Sequence, residues 1–156
     1  MMFAIKTGVR DPNAGVWDFG VQKTMYGGKR IEVGDTVFVF ASENEGGAGL
    51  IARGVVTAAE ALPRQPGVER QTPCVRLTVK RIARARRRLG RAELKPFDVW
   101  GDGRPQTELN FKLYRQATHK VVGLSPETAA FLQQHCFQLQ PLALQKRVEL
   151  VRRHRA

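Results

Sequence analysis

The chain has 156 residues, with 26 Lys and Arg against 14 Asp and Glu, and so a formal net charge of +12 at neutral pH. That length builds one domain with its own core, without disulfides or metal to hold it, and an apolar content of 42% excludes a disordered composition. No apolar run approaches the ~20 residues that span a bilayer, and the N-terminal apolar stretch is too short for a secretory signal, so the sequence reads as cytoplasmic.

Residues 2–6 read as a first strand, and 7–15, with Gly, Asp, Pro and Asn, as a loop. Residues 16–21 place Trp17 and Phe19 at alternate positions of a second strand. Turns at 27–30 and 31–35 lead into 36–41, whose near-continuous apolar run predicts burial on both faces. After a loop at 43–49, residues 50–57 form a strand with Gly54 at its centre, which predicts a bulge or a close backbone approach. Residues 62–73 are a polar, proline-bearing connection. Residues 75–80 alternate apolar and polar, the pattern of a half-buried strand showing Arg76 and Lys80 to solvent.

A basic cluster follows over 81–91, then one helical turn at 92–97, irregular chain over 99–110, and a short closing strand at Val121 and Val122. Ser125-Pro126-Glu127 starts a helix running to about residue 134: Ser caps, Pro takes the first helical position, and Glu complements the dipole. A last helix over 141–153 aligns Leu144, Val148 and Val151 on one face. The sum is an α+β chain: five or six short strands in a small, partly open barrel with peripheral helices.

Chemistry-bearing motifs are few. The sequence holds no P-loop, nucleophile elbow or HExxH. Asp18, Asp35 and Glu108 stand at no spacing that pairs carboxylates for acid–base work. Cys74 and Cys136 lie outside any CxxC and read as free thiols, and the three histidines, His119, His135 and His154, stand alone, so neither metal nor cofactor is expected. What remains is cationic charge with aromatic rings. An arginine excess concentrates polyanions around a protein, which makes nucleic acid the expected partner. Arg81, Arg84, Arg86, Arg87 and Arg88 would repel one another without an anion nearby; with Arg115 and Lys120 they form the expected phosphate contacts. Trp17 and Phe19, and Phe111 and Tyr114 interleaved with Lys112 and Arg115, offer flat faces to an unstacked base. For Phe111 and Tyr114, core packing is an equally open reading.

Taken together, the first strand ending in Lys6-Thr7-Gly8, then Val16-Trp17-Asp18-Phe19-Gly20-Val21, then Val33-Gly34-Asp35-Thr36 running to Phe40, then Gly49-Leu50-Ile51-Ala52-Arg53-Gly54, resemble the EVE domain of the PUA-like superfamily. Residues 111–116 and 121–125 add to that resemblance, which covers residues 2–137. It implies a PUA-like β-barrel of five or six strands flanked by helices. It also implies a pocket that accepts a flipped or unpaired base carrying a methyl or hydroxymethyl group. On it, Lys6 and Thr7 stand where the family often has Lys-Ser, Trp17 is a stacking wall beside Asp18 and Phe19, and Phe40 and Ser42 line the pocket at a strand end. The family's Ser-Glu-Pro after the first strand is replaced here by Thr7-Gly8-Val9. Residues 138–156 lie outside the resemblance and read as a basic helical extension.

The expectation is a nucleic-acid reader without catalysis, with DNA and RNA both open. Two alternatives stand beside it. One is an amidohydrolase of the related ASCH type acting on modified nucleosides, echoed by Lys23-Thr24. The other is an accessory subunit docking through its C-terminal helix.

Overall fold

The computed structural model describes residues 1–115 and 118–137; the expected extension at 138–156, with its helix, lies outside the described residues. Six strands, β1 (Met2–Thr7), β2 (Val16–Met25), β3 (Thr36–Ala41), β4 (Gly49–Ala61), β5 (Cys74–Arg84) and β6 (Lys120–Leu124), close into a barrel in the order β1-β3-β4-β5-β2-β6. β1 runs parallel to β3 and antiparallel to β6, and β2 parallel to β6, while the remaining neighbours are antiparallel. Closure removes the open edges that a small sheet would otherwise expose.

The two-residue period of the strands divides the apolar side chains into two cores. Phe3, Ile5, Trp17, Phe19, Val37, Val39, Leu77 and Val79 form one cluster, drawn from the strands and filling the barrel. Ala4, Phe38, Phe40 and Val122 point the other way and pack with Leu94, Leu109, Leu113 and Leu132 from the helices. β3 is therefore covered on both sides, as its apolar run predicts. At Gly54 the β4–β5 register shifts, and an added Cβ would meet Val79 Cγ1 at 2.4 Å and Lys80 O at 2.8 Å, so both the bulge and the close approach are present.

Three short helices cover one wall: α1 (Arg91–Leu94), α2 (Pro105–Leu109), continued by a π-helical turn at Asn110–Tyr114, and α3 (Pro126–Leu132), continued by another at Gln133–Phe137. The expectation of irregular chain over 99–110 is corrected by α2. Asp102 braces that helix start, which has Pro105 at its first position: one carboxylate oxygen accepts from Arg104 N at 2.9 Å and the other from the Thr107 hydroxyl at 2.9 Å.

α2 and α3 are tied through Glu108. Its Oε1 accepts from the hydroxyls of Ser125 (2.5 Å) and Thr128 (2.8 Å), and its Oε2 from Ser125 N (2.9 Å) and Lys112 Nζ (3.2 Å). Burial would raise its pKa, but the bonds from Ser125 and Thr128, with Lys112, outweigh it and hold the carboxyl below its ordinary 4.5. A carboxylate with a depressed folded pKa stabilises above the unfolded value and loses that contribution as pH falls through the folded one. Glu108→Gln should therefore cost about 1–3 kcal/mol at neutral pH. In urea titrations at descending pH, the gap to wild type should close as Glu108 becomes protonated.

Candidate functional site

The end of β1 gathers polar groups from several strands. Lys6 lies opposite Phe40 on β3 and Lys120 on β6, and Thr7 lies opposite Ala41, one residue before Ser42. Lys120 also lies opposite Lys23 on β2, the neighbour of Gln22. Ser42 N donates to Thr7 O at 2.9 Å. Gln22 Nε2 donates to Thr7 Oγ1 at 3.2 Å, and Thr7 Oγ1 stands 2.8 Å from His119 Nδ1. The other ring nitrogen, Nε2, is 3.4 Å from Glu45 Oε1.

His119 itself adopts φ 62, a left-handed conformation uncommon for a non-glycine residue. Two backbone bonds hold it there, His119 N to Lys6 O at 2.8 Å and Lys23 N to His119 O at 2.9 Å. Such conformations persist where surrounding structure over-determines them, and they concentrate at functional sites.

Lys6, Thr7, Gln22, Ser42 and Lys120 are all buried. Gln22 Oε1, Ser42 Oγ and Lys120 Nζ have no hydrogen-bond partner within the described residues. A buried polar atom without a partner costs about 1–3 kcal/mol. Three around one strand end therefore mark the place where the fold forgoes stability. Lys6, 2% exposed, lays its ammonium 4.4 Å over the Tyr114 ring. Its pKa is lowered by burial first and then by Arg91, against the pull of Glu43. Lys120, 1% exposed, is pushed down to about 8 by burial and by Lys6. The Tyr114 hydroxyl donates to Glu43 Oε1 at 3.0 Å, and burial together with Glu43 holds its pKa above the ordinary phenol range. The other Glu43 oxygen accepts from Arg91 N at 2.6 Å, at the start of α1. The end of β1 thus carries ammonium groups on its helical side and the Thr7 hydroxyl with its Gln22 partner on its barrel side.

Of the residues expected to bind a base, the structure brings Lys6, Thr7, Ser42 and Tyr114 to this cluster. It does not bring the others. Trp17 is 6% exposed inside the barrel, stacked on Phe19 with centroids 6.1 Å apart, and its ring N–H donates to Asp11 O at 2.8 Å. Neither ring presents a free face, because in-facing positions of β2 are filled by core neighbours. Phe40 is enclosed between barrel and helices. Asp18 points outward and accepts from the Thr78 hydroxyl at 2.8 Å. Phe111 lies elsewhere on the helical layer, between Trp100 and Arg115.

Among the expected phosphate contacts, Arg84, Arg86, Arg88 and Arg115 are exposed. Arg81 and Arg87 are half-buried, and Arg81 Nη1 donates to the carbonyls of Asn13 (2.8 Å) and Ala14 (2.7 Å). Lys120 departs from that group: it faces the helical layer, not solvent, because it shares a side of β6 with Val122. Lys23, the hydrolase echo, is exposed, and Thr24 is spent on Pro73 O at 2.7 Å. Gln22 escapes the sequence reading, and His119 reads there as either a surface histidine or a contact to base or phosphate; the signal for the buried lysines is their position at the ends of the apolar runs 2–5 and 121–122.

No protein-family model matches the sequence, and no curated protein matches it. The structure matches the DUF55 domain of human thymocyte nuclear protein 1 with a TM-score of 0.57, at 14% identity, over 84% of this chain and 95% of that one. The structure also matches the same human protein in complex with 5-methylcytosine-containing DNA (TM-score 0.54, 15% identity, 83% of this chain and 94% of that one). A protein from Pseudomonas putida matches it with a TM-score of 0.53, at 16% identity, over 83% of this chain and 95% of that one. These likenesses show the fold, that of the DUF55 domain; what the site does rests on its own geometry.

Proposed function

We propose that this EVE-type barrel is a nucleic-acid-binding module that takes one modified base, methylated or hydroxymethylated, into the cluster at the end of β1, as a reader without a catalytic step. The observation that carries this reading is the set of three buried, unpartnered polar atoms, Gln22 Oε1, Ser42 Oγ and Lys120 Nζ. A base edge complements such a set. The pairing edge of cytosine offers two acceptors, for an ammonium and a hydroxyl, and an amino donor for an amide carbonyl. Extruding a base costs a few kcal/mol. Hydrogen bonds that satisfy otherwise orphaned groups offset that cost, and the arginines from 81 to 88 supply phosphate contacts that orient the strand. A related fold that holds 5-methylcytosine-containing DNA supports the ligand class.

The test is binding of the purified protein to matched oligonucleotides, as DNA and as RNA, plain or carrying N6-methyladenine, 5-methylcytosine or 5-hydroxymethylcytosine. One modified form should bind tighter than its plain match, and Ser42→Ala and Gln22→Leu should erase that preference. Affinity should fall with salt, with a double-logarithmic slope steeper than about −3. Equal binding to every oligonucleotide, unmoved by either substitution, would leave a basic surface and no pocket.

A further inference from the structure

A second aromatic group lies outside the β1 cluster. Trp100 is 67% exposed, beside Val99 at 64%. Its ring meets Phe111 with centroids 5.0 Å apart, and the Arg115 guanidinium lies 4.6 Å from the Phe111 centroid on the same side chain's surface. An indole left in water contributes little to folding, and exposed large apolar groups mark contact surfaces. The exposure is also built in. The turn that carries Trp100 is closed by Asp102 N to Val99 O at 3.2 Å, and Gly101 and Gly103 supply its left-handed positions at φ 83 and 79. Asp102 anchors the turn to α2 through Arg104 N and Thr107. The ring is thus presented from a pinned backbone, which lowers the ordering cost of contact.

The chemistry around it favours nucleic acid over a protein groove. Arg115 flanks the Trp100–Phe111 pair, while Arg104 lies 6.0 Å from the Phe97 centroid and Lys112 5.2 Å from that of Tyr26. Asp102, Glu108 and Glu127 line the same groove as Trp100, and Asp102 and Glu108 are already bonded. Aromatic faces beside guanidinium groups suit a base and its phosphate. Position makes the link to the β1 cluster: Phe111 stands three residues before Tyr114, whose ring carries Lys6. Both residues belong to the π-helical turn at Asn110–Tyr114.

We infer that Trp100, Phe111 and Arg115 form a stacking platform for the nucleotide next to the base held at the end of β1; the inference rests on the proposed nucleic-acid reading. Trp100 stacks the neighbouring base, and Arg115 meets its phosphate.

The experiment is a fluorescence titration with a short single-stranded oligonucleotide carrying one 5-methylcytosine. A second version has the neighbouring nucleotide replaced by an abasic site. Trp17 is enclosed, so emission changes report Trp100. Binding should quench the emission, and Trp100→Ala should weaken binding about ten-fold or more. The abasic strand should cost wild type a similar factor and cost Trp100→Ala nothing further. Arg115→Gln should weaken binding and flatten the salt slope. If the wild type binds the strand but Trp100→Ala matches it in affinity on both strands, the platform falls and the reader stands. If that strand and its plain match both fail to bind the wild type at low salt, the nucleic-acid reading falls and takes the platform with it. A circular dichroism spectrum confirms that the exposed-site variants are folded.

Discussion

Lys120→Met should produce a more stable protein that no longer discriminates modified from plain bases. The lysine ammonium is buried and unpartnered, and the charge of Lys6 adds to burial in disfavouring it. Replacing buried charge with apolar volume is often stabilising, here by about 1–4 kcal/mol. The pH dependence identifies the cause. The ordinary lysine value is 10.5 and the folded value about 8, so between these limits the unfolded chain binds a proton that the folded chain does not. Stability contributed by this group therefore rises as pH climbs from about 8 to 10.5, and it is lost as pH falls back through that window. Thermal melts of wild type should show that rise relative to Lys120→Met, so the two Tm curves converge at alkaline pH. A base edge bound at Lys120 acts in the opposite sense, favouring the protonated ammonium, so base preference should decline above about pH 8. A variant that is less stable at neutral pH, or that keeps its base preference, would remove Lys120 from the site.

The second large effect is Trp17→Ala, and it is a folding effect. The indole fills the barrel against Phe19 and closes a bond to Asp11 O in the loop after β1. Truncating a buried Trp costs about 3–5 kcal/mol, a large share of the 5–15 kcal/mol typical of a domain. Urea denaturation should show that loss as a lower midpoint with unchanged slope. The fraction still folded at low temperature should keep the same ranking of modified over plain oligonucleotides. A ranking lost in a fully folded variant would instead return Trp17 to the ligand.

The residues that could be read early are those whose signals are local. The run at 36–41 is apolar on both faces because β3 lies between two cores, and Ser125 announces its helix through its own side chain, which accepts from Thr128 N. Gly54 marked a close approach without naming Val79 as the neighbour. The ring of Trp17 suggests a stacking wall, but its neighbours in the strand decide otherwise. In a strand those neighbours face the other way, so Asp18 and Gly20 outside put Trp17 and Phe19 inside. The site was legible only in part. Lys6, Thr7 and Ser42 stand at strand ends that the resemblance picked out, whereas Gln22, His119 and Lys120 join them through ladder registers between segments far apart in the chain. No local pattern encodes those registers, and the start of a short helix such as α2 is braced by an aspartate two residues before its N-cap.

β1 finds its neighbours at residues 36–41 and 120–124, and the bond between Thr7 and His119 spans 112 residues of sequence. Distant pairings of this kind must close a long loop before they return any stabilisation. During synthesis, when a chain emerges N-terminus first, β1, β3 and β4 can pair early while β6 is still to come. The cluster around Lys6 exists only after β6 arrives. The last step that closes the barrel is then also the step that assembles the polar cluster, and a chain arrested before residue 120 carries most of the sheet and most of the cluster's residues but not the β6 pairings that bring them together.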